Sequence, residues 1–250
     1  MIINATSDPE PSLIKWLPNS CSFNAIEQSK KQDLPSSIFI LTLLISLNLT
    51  PQLFAAGSTN VGIISHYVWR GISQSNDKPA LSGGLDYAFD SGLYAGTWLS
   101  SLSGGATEND LYFGFTGETN KINYDVGFIS FQYAQSRSHF DELYLNTSFG
   151  FIDAFLAYTT SSDDDSGAEY SQGDLYYSIA AHHEFSNHIN LNLLLGHYEF
   201  DDLAGDDFNN YQLSVSKNNF TFYIDDTTGL NTANEVKFSL SWNKTFEFKK

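Results

Sequence analysis

Apolar and polar residues alternate along almost the whole C-terminal part of the chain, and this pattern restricts the possible folds more than any other feature. Leu111, Phe113 and Phe115 share one parity. Tyr112 and Thr116 share the other. Alternate side chains of a β-strand point to opposite faces, so a period of two predicts strands with one bulky apolar face. About twelve such segments of roughly 9–11 residues follow one another, which is the length that a tilted strand needs to cross a bilayer.

The connections between these segments alternate in length. Short ones are predicted at residues 90–92, 120–121, 150–153, 186–188 and 218–219. Long polar ones are predicted at residues 74–79, 103–109, 134–139, 162–173, 201–209 and 228–234. This alternation is typical of a transmembrane barrel with short turns on one rim and long loops on the other. A sheet in hydrocarbon must close so that every backbone polar group is paired.

We therefore predict an all-β fold, a closed antiparallel transmembrane β-barrel of about 12 strands with both termini on the short-turn rim. The alternative is a soluble β-sandwich. It is disfavoured because the strands of a sandwich tend to be shorter and their connections less regular. A soluble barrel is disfavoured because its small interior would be overpacked by the bulky apolar parity of about twelve strands.

The first 56 residues differ in composition from the rest. Five of the six prolines lie there, whereas all 18 glycines and all 14 tyrosines follow. Lys30 and Lys31 precede the apolar stretch Ile38–Leu49, and Ala55 and Ala56 come shortly after it. A basic region, a short apolar region and small residues are typical of a secretory signal peptide. We predict an N-terminal extension plus signal peptide at residues 1–56, cleavage after Ala56, and an outer-membrane β-barrel at residues 57–250.

Charge and composition exclude several other classes of protein. The formal net charge is −17, which argues against nucleic-acid binding because that needs a basic face. A single Cys excludes a disulfide scaffold. No apolar run reaches the ~20 residues of a membrane-spanning helix.

Four stretches near the start of the predicted barrel match a known family: Asn60–Ser75, Lys78–Leu81, Gly84–Tyr87 and Gly92–Trp98. They resemble the TorF-family porins, also known as the Gcw_chp group of proteobacterial outer-membrane proteins. A weaker similarity continues through Glu142–Tyr144 to the last strand. The resemblance implies an outer-membrane location and a pore, and it implies no particular substrate and no catalytic residue. One departure is that Lys249 and Lys250 follow Phe248, whereas such barrels tend to end on an aromatic residue.

The polar parity predicts which side chains line the barrel interior. The candidates are His66, Arg70, Asp86, Tyr94, Trp98, Tyr112, Glu118, Asp125, Tyr144, His182, Glu184, Tyr223, Asp225, Glu235 and Lys237. Tyr133, Tyr158, Tyr176 and Tyr198 are assigned to the same face. A lumen rich in carboxylates concentrates cations, and about twelve strands leave roughly 10–14 Å of open width before the tyrosines narrow it. We expect Arg70 to pair with Asp86 or Glu235, with a role in solute selection as the alternative.

The opposite parity and the loops give two further predictions. Outward aromatic residues at the membrane interface are expected to be Tyr67, Trp69, Tyr87, Tyr124, Tyr211 and Trp242. The long loops carry acidic runs: Asp163, Asp164, Asp165, Asp201, Asp202, Asp206 and Asp207. Solvated surface charge is the favoured interpretation of these runs, and weak Ca²⁺ or Mg²⁺ binding is the alternative.

The sequence therefore predicts an outer-membrane, porin-like barrel with a narrow pore for small solutes or cations. One alternative is a non-conducting structural or adhesion barrel that presents acidic loops. A lesser alternative is a barrel hydrolase, because His66, His182 or His197 might meet a serine on an adjacent strand, although no Gly-x-Ser-x-Gly motif is present. We expect no enzyme activity and no cofactor. The expected partners are outer-membrane lipid and lipopolysaccharide, the outer-membrane assembly machinery and small solutes or cations, without nucleic acid.

Overall fold

The computed structural model describes residues 55–134, 139–163, 170–201, 206–230 and 235–248. No helix within these ranges has the length and apolar character needed to cross a membrane. Their helical structure is a single 3₁₀ turn, Ser103–Gly105. Residues 1–54 of the predicted extension and signal segment at residues 1–56 lie outside the described residues, and this segment stays a prediction.

Fourteen strands follow one another in the described part of the chain, two of them only two residues long. They are β1 (Ala55–Ile64), β2 (Val68–Trp69), β3 (Ile72–Ser73), β4 (Ala80–Phe89), β5 (Leu93–Ser101), β6 (Thr107–Thr119), β7 (Ile122–Ala134), β8 (Phe140–Phe149), β9 (Ile152–Ser162), β10 (Leu175–Glu184), β11 (Ile189–Glu199), β12 (Phe208–Lys217), β13 (Phe220–Thr228) and β14 (Lys237–Phe248).

The twelve long strands form one closed antiparallel barrel, as the sequence predicts. Each strand pairs with its neighbour in the chain, except that β4 follows β1 around the wall. β1 also pairs with β14, from Gly57 opposite Phe248 to Ile64 opposite Ser241, and this seam closes the sheet. β1 begins at Ala55, two residues before the predicted start of the mature chain. Both ends of the barrel lie on the rim of the short turns, as expected.

The exterior of the barrel carries the apolar parity. Phe113, Leu193 and Phe238 are 59%, 52% and 59% exposed, and each alternates with a residue that faces inward. The same holds on other strands, whose exposed large apolar residues include Leu81, Leu85, Leu99, Leu111, Leu143, Leu195, Phe222 and Leu240. An exterior of this kind suits contact with hydrocarbon.

The two short strands depart from the prediction. The alternating pattern continues past Ile64 to Trp69, and the sequence analysis treats it as one wall strand. Instead, β1 ends at Ile64, and residues 65–79 turn into the barrel, where β2 and β3 form a separate two-stranded sheet. We call residues 65–79 the inner hairpin. Its buried aromatic side chains join a cluster of inward-facing wall residues, so the interior is packed rather than open at the level of the hairpin.

The exterior assignment gives a first prediction. We expect Leu193→Asp to impair assembly of the barrel in lipid vesicles, because it places a carboxylate against hydrocarbon at a cost of about 1–2 kcal/mol. The matched control is Asn192→Asp, on the same strand and the inward face, which should assemble like the wild type. The folded fraction is measured by the mobility shift of unheated samples in gel electrophoresis. Equal assembly of the two variants would contradict the assignment.

Candidate functional site

A tight turn places Arg70 at the tip of the inner hairpin. Val68 pairs with Ser73 and Trp69 pairs with Ile72, so Arg70 and Gly71 form a two-residue connection. Both have positive φ angles, 47° and 84°. Two successive positive φ values define a type I′ turn, the form that suits a two-residue hairpin. Arg70 accepts a backbone conformation that is uncommon for a non-glycine residue, so its position at the tip has an energetic cost.

Hydrogen bonds within the inner hairpin hold its base together. The Gln74 N–H donates to the carbonyl of Tyr67 at 2.8 Å, and the Tyr67 N–H donates to the Ser75 hydroxyl at 2.8 Å. The Ser75 hydroxyl in turn donates to the carbonyl of Lys78 at 2.6 Å. His66 Nε2 lies 2.7 Å from the Ser73 hydroxyl. The hairpin is therefore a largely self-contained unit.

The guanidinium of Arg70 forms a two-pronged ion pair with the barrel wall. Its Nη1 and Nη2 atoms lie 2.7 Å from Oε1 and Oε2 of Glu142 on β8. The two side chains are only 8% and 2% exposed. Burial by itself lowers the pKa of Arg70, but the charge and hydrogen bonds of Glu142 outweigh that effect and the pKa is raised. Arg70 is therefore a cation in the folded protein.

Aromatic rings surround the same guanidinium. Its central carbon lies 4.2 Å from the ring centroids of both Trp69 and Tyr176, 5.6 Å from that of Tyr198 and 5.9 Å from that of Phe155. Ring faces attract cations at such distances, most strongly where water is excluded. These contacts and Glu142 together offset the cost of removing the guanidinium from water.

The inner hairpin reaches across the barrel. The Trp69 ring packs against Phe131, Phe140 and Tyr170, with centroids 5.5–6.1 Å apart. On the opposite side, a Cβ atom at Gly71 would collide with side chains of β12 and β13. Since the tip touches both sides of the wall, the hairpin occupies the lumen that the sequence analysis expects to be open at this level.

A buried acidic pocket lies beside the hairpin. Among the described residues, no hydrogen-bond partner is present for Nε1 of Trp98, Oε2 of Glu108 or either carboxylate oxygen of Asp110. Trp98 stands directly opposite Asp110 on the neighbouring strand. Burial, followed by the charges of Glu108 and Asp110, raises the pKa of the Tyr67 hydroxyl, which stays protonated. Buried polar atoms of this kind need water or a solute as a partner.

Tyrosine–carboxylate contacts fill part of the interior nearer the short turns. Tyr94 donates to Oδ1 of Asp125 at 2.6 Å and also contacts the hydroxyl of Tyr144. Tyr112 donates to Asp86. The Tyr144 ring lies so close over Gly127 that no side chain fits there. This part of the interior is built from direct contacts between inward side chains.

Two predicted interface residues and the predicted partners of Arg70 are wrong. Tyr67 and Trp69 are buried inside the barrel, at 2% and 6% exposure, because they belong to the inner hairpin and not to the wall. Arg70 pairs with Glu142 rather than with Asp86 or Glu235, because the hairpin carries it across to the far side of the lumen.

Most of the other predicted interior residues do face inward. Those that are buried are His66, Asp86, Tyr94, Trp98, Tyr112, Asp125, Tyr144 and Asp225. Tyr223, His182 and Lys237 are half-buried, and Nδ1 of His182 lies 3.0 Å from a carboxylate oxygen of Asp153. Three carboxylates differ from the prediction: Glu118 and Glu184 are exposed at the short-turn rim, and Glu235 is exposed just before β14. Tyr158 faces outward at 43% exposure, because its neighbours in parity on β9 are the outward Leu156 and Ala154.

The remaining interface and loop predictions have mixed outcomes. Tyr87 and Tyr211 are exposed on the exterior, whereas Tyr124 and Trp242 are half-buried. Asp163, Asp201, Asp206 and Asp207 are exposed, and Asp164, Asp165 and Asp202 lie outside the described residues. Within the described ranges, no group of three or more His, Cys, Asp or Glu side chains is arranged to hold a metal ion.

Three interior residues are absent from the set predicted from the sequence: Glu108, Asp110 and Glu142. Glu108 was assigned to a loop at residues 103–109, but β6 already begins at Thr107. The parity of Tyr112 extends back through Asp110 to Glu108, and that of Tyr144 extends back to Glu142. Extending each alternation to the end of its strand would have found all three.

Comparison with known proteins gives a family assignment. The model of a family described as a bacterial protein of unknown function, Gcw_chp, matches residues 51–242. The chain belongs to the Gcw_chp family. The resemblance inferred from the sequence is confirmed at this level. No curated protein matches the chain.

Several solved structures are similar to this Gcw_chp barrel. The KdgM porin has a TM-score of 0.47 and 10% identity, covering 77% of this chain and 99% of that chain. Outer membrane phospholipase A from Escherichia coli has a TM-score of 0.42 and 12% identity, covering 76% and 95%. The outer membrane protein OpdK from Pseudomonas aeruginosa has a TM-score of 0.37 and 8% identity, covering 77% and 65%. Such distant likenesses carry no argument about function.

The buried ion pair gives a prediction for this family member. Arg70→Met should lower the free energy of unfolding by about 3–5 kcal/mol, because it leaves the Glu142 carboxylate buried without a counter-charge. The double variant Arg70→Met/Glu142→Leu should recover most of that loss, since no unpaired charge remains. Urea unfolding in detergent micelles measures both. A double variant as unstable as the single one would show that the unpaired charge of Glu142 does not cause the loss of stability.

Proposed function

We propose that the protein is an outer-membrane barrel that forms a narrow pore for small solutes or cations, and that the inner hairpin closes this pore. One observation carries the proposal: the inner hairpin is folded into a closed barrel. The Arg70–Glu142 ion pair joins the tip of this hairpin to the far side of the wall. A loop that narrows a barrel from within can act as a gate when its own hydrogen bonds do not depend on the wall, as those of Ser75 with Tyr67 and Lys78 do not.

The proposed location rests on the surface of the barrel. Its apolar exterior and its fully paired wall suit a bilayer, in which unpaired backbone groups are costly. We propose export through the segment at residues 1–56, insertion by the outer-membrane assembly machinery and contact with outer-membrane lipid and lipopolysaccharide. Within the Gcw_chp family, we assign the chain to the TorF-family porins.

The proposed preference for cations rests on the balance of buried charge. Eight carboxylates are buried in the described part of the chain: Asp86, Glu108, Asp110, Asp125, Glu142, Asp153, Asp174 and Asp225. The guanidinium of Arg70 is buried among these carboxylates, and Lys237 is half-buried at the start of β14. Carboxylates with few counter-charges raise the local concentration of cations and repel anions.

A non-conducting structural or adhesion barrel is the second candidate. The dense packing of Trp69 against Phe131 and Phe140, and of Tyr94 against Asp125 and Tyr144, favours it, because a filled interior leaves no path for ions.

Single-channel conductance in a planar bilayer separates the two candidates. We expect the wild type to be mostly closed, and Arg70→Ala and Gly71→Ala to open more often, with cation selectivity shown by the reversal potential in a KCl gradient. Gly71→Ala keeps all charges, but its methyl group would collide with β12 and β13 and would strain the turn at a positive φ, so the hairpin cannot seat as in the wild type. Lys78→Ala is the matched control, because it removes an exposed positive charge from the same loop and should behave like the wild type. Folded, inserted variants that never conduct would favour the non-conducting barrel.

One observation favours a hydrolase as a third candidate. His66 Nε2 lies 2.7 Å from the Ser73 hydroxyl, and Nδ1 lies 3.1 Å from Asp77, which is the order of a nucleophile, a base and an acid. Burial lowers the pKa of His66 despite Asp77, so the ring is neutral and able to accept a proton. Against this, Asp77 is 85% exposed, and Ser73 also accepts the Asn76 N–H, as expected of a loop-forming contact.

Labelling with a fluorophosphonate tests the hydrolase directly. We expect the wild type to remain unlabelled, because the contacts of Ser73 hold the base of the hairpin. Labelling of the wild type and of Ser103→Ala, together with its loss in Ser73→Ala, would instead establish Ser73 as a nucleophile.

A further inference from the structure

The groups that surround Arg70 form a cation site that belongs mostly to the wall. Glu142 supplies both carboxylate oxygens, each 2.7 Å from a guanidinium nitrogen. Tyr176, Tyr198 and Phe155 supply ring faces 4.2, 5.6 and 5.9 Å from its central carbon. These four residues stand on β8 to β11, four consecutive strands of the barrel. Trp69 is the one ring in the site that the hairpin itself brings.

The wall groups support one another without the hairpin. The Tyr176 and Tyr198 rings lie on directly paired residues with centroids 5.8 Å apart, and Phe155 packs on Tyr176 at 6.1 Å. Tyr176 also donates a hydrogen bond to Asn210 at 3.2 Å. Since these contacts do not involve Arg70, the site keeps its shape when the guanidinium leaves.

The inner hairpin, which places Arg70 in this site, is in contrast held together mainly by its own contacts and not by the wall. Most hydrogen bonds of the inner hairpin are internal, among them those joining Tyr67 to Gln74 and Ser75. When Arg70 is absent, the wall retains Glu142 without the counter-charge that both of its carboxylate oxygens contact. A buried carboxylate of this kind requires a replacement cation or a proton.

We propose that Glu142, Tyr176, Tyr198 and Phe155 form a binding site for the guanidinium group of a small solute, and that Arg70 fills this site while the pore is closed. A planar guanidinium matches both oxygens of a carboxylate and stacks on ring faces, whereas a compact ammonium ion does neither as well. A metal ion is the poorer candidate because it needs several oxygen ligands, and the site offers one carboxylate among rings. The entry of the solute rests on the proposed function, but binding does not.

Binding of methylguanidinium to the full-length Arg70→Ala barrel in detergent tests the site. Isothermal titration calorimetry should give a dissociation constant on the order of millimolar, and the wild type should bind at least about tenfold more weakly because Arg70 competes. Sodium and methylammonium chloride at the same ionic strength should bind more weakly than methylguanidinium.

Two double variants identify the groups that bind. Arg70→Ala/Glu142→Gln should lose at least about tenfold in affinity, because the charged fork partner is gone. Arg70→Ala/Glu118→Gln is the matched control, since it removes an exposed carboxylate at the short-turn rim, and it should bind like Arg70→Ala. Equal affinity of all three, or a folded Arg70→Ala barrel without binding up to about 50 mM, would overturn the proposal.

Refolding provides the test if Arg70→Ala does not fold unaided. Methylguanidinium, and not sodium chloride, should then restore its folded, fast-migrating band in gel electrophoresis, and should fail to do so for Arg70→Ala/Glu142→Gln. The absence of such rescue would count against the site. The test of the pore is independent of the test of the site. Binding without conductance would support the guanidinium site and overturn the proposed pore, whereas conductance without binding would support the pore and overturn the site.

Discussion

Closure of the sheet is the constraint on which the rest of the structure depends. Twelve strands satisfy one another's backbone groups only because β1 pairs with both β4 and β14. With the backbone paired in this way, the period of two sorts the side chains, and bulky apolar groups such as Phe113 and Leu193 face outward. The interior is then left with polar and aromatic side chains that must find partners in a confined space. Both the tyrosine–carboxylate contacts and the inner hairpin are solutions to that problem.

The inner hairpin supplies a buried positive charge, the guanidinium of Arg70, to an acidic interior. Glu142 is almost fully buried, and without a cation it would have to take up a proton or draw in water. Arg70 supplies that cation from a strained turn. The net contribution of such a pair to stability is small, since each ion loses its hydration, but its geometric demands are strict. The pair therefore fixes where the hairpin lies more than it strengthens the barrel.

The wall could be predicted from the sequence because strand parity and turn length are local properties. The interior could not be, for two reasons. Alternation runs on through Tyr67 and Trp69, so the pattern does not mark where β1 leaves the wall, and only the Arg70-Gly71 turn shows it. The partner of Arg70 lies 72 residues away in the chain, and no local pattern selects Glu142 over Asp86. Strand ends were a further source of error, since parity extended by two or four residues places Glu108, Asp110 and Glu142 correctly.

The separation between Arg70 and Glu142 also has a consequence for assembly. Arg70 enters the barrel in the turn between β2 and β3, whereas its carboxylate partner and its ring partners from the wall arrive on β8 to β11. A nascent barrel that stops short of those strands carries a guanidinium without its counter-charge and without the wall rings that stack on it, and the edges of its sheet are unpaired as well. Formation of β8 to β11 therefore both extends the backbone pairing and supplies the carboxylate and the rings that the Arg70 guanidinium contacts. An incomplete wall therefore has two costs, the unpaired backbone at its edges and the unpaired guanidinium of Arg70. Together they make assembly more nearly all-or-none than backbone pairing alone would.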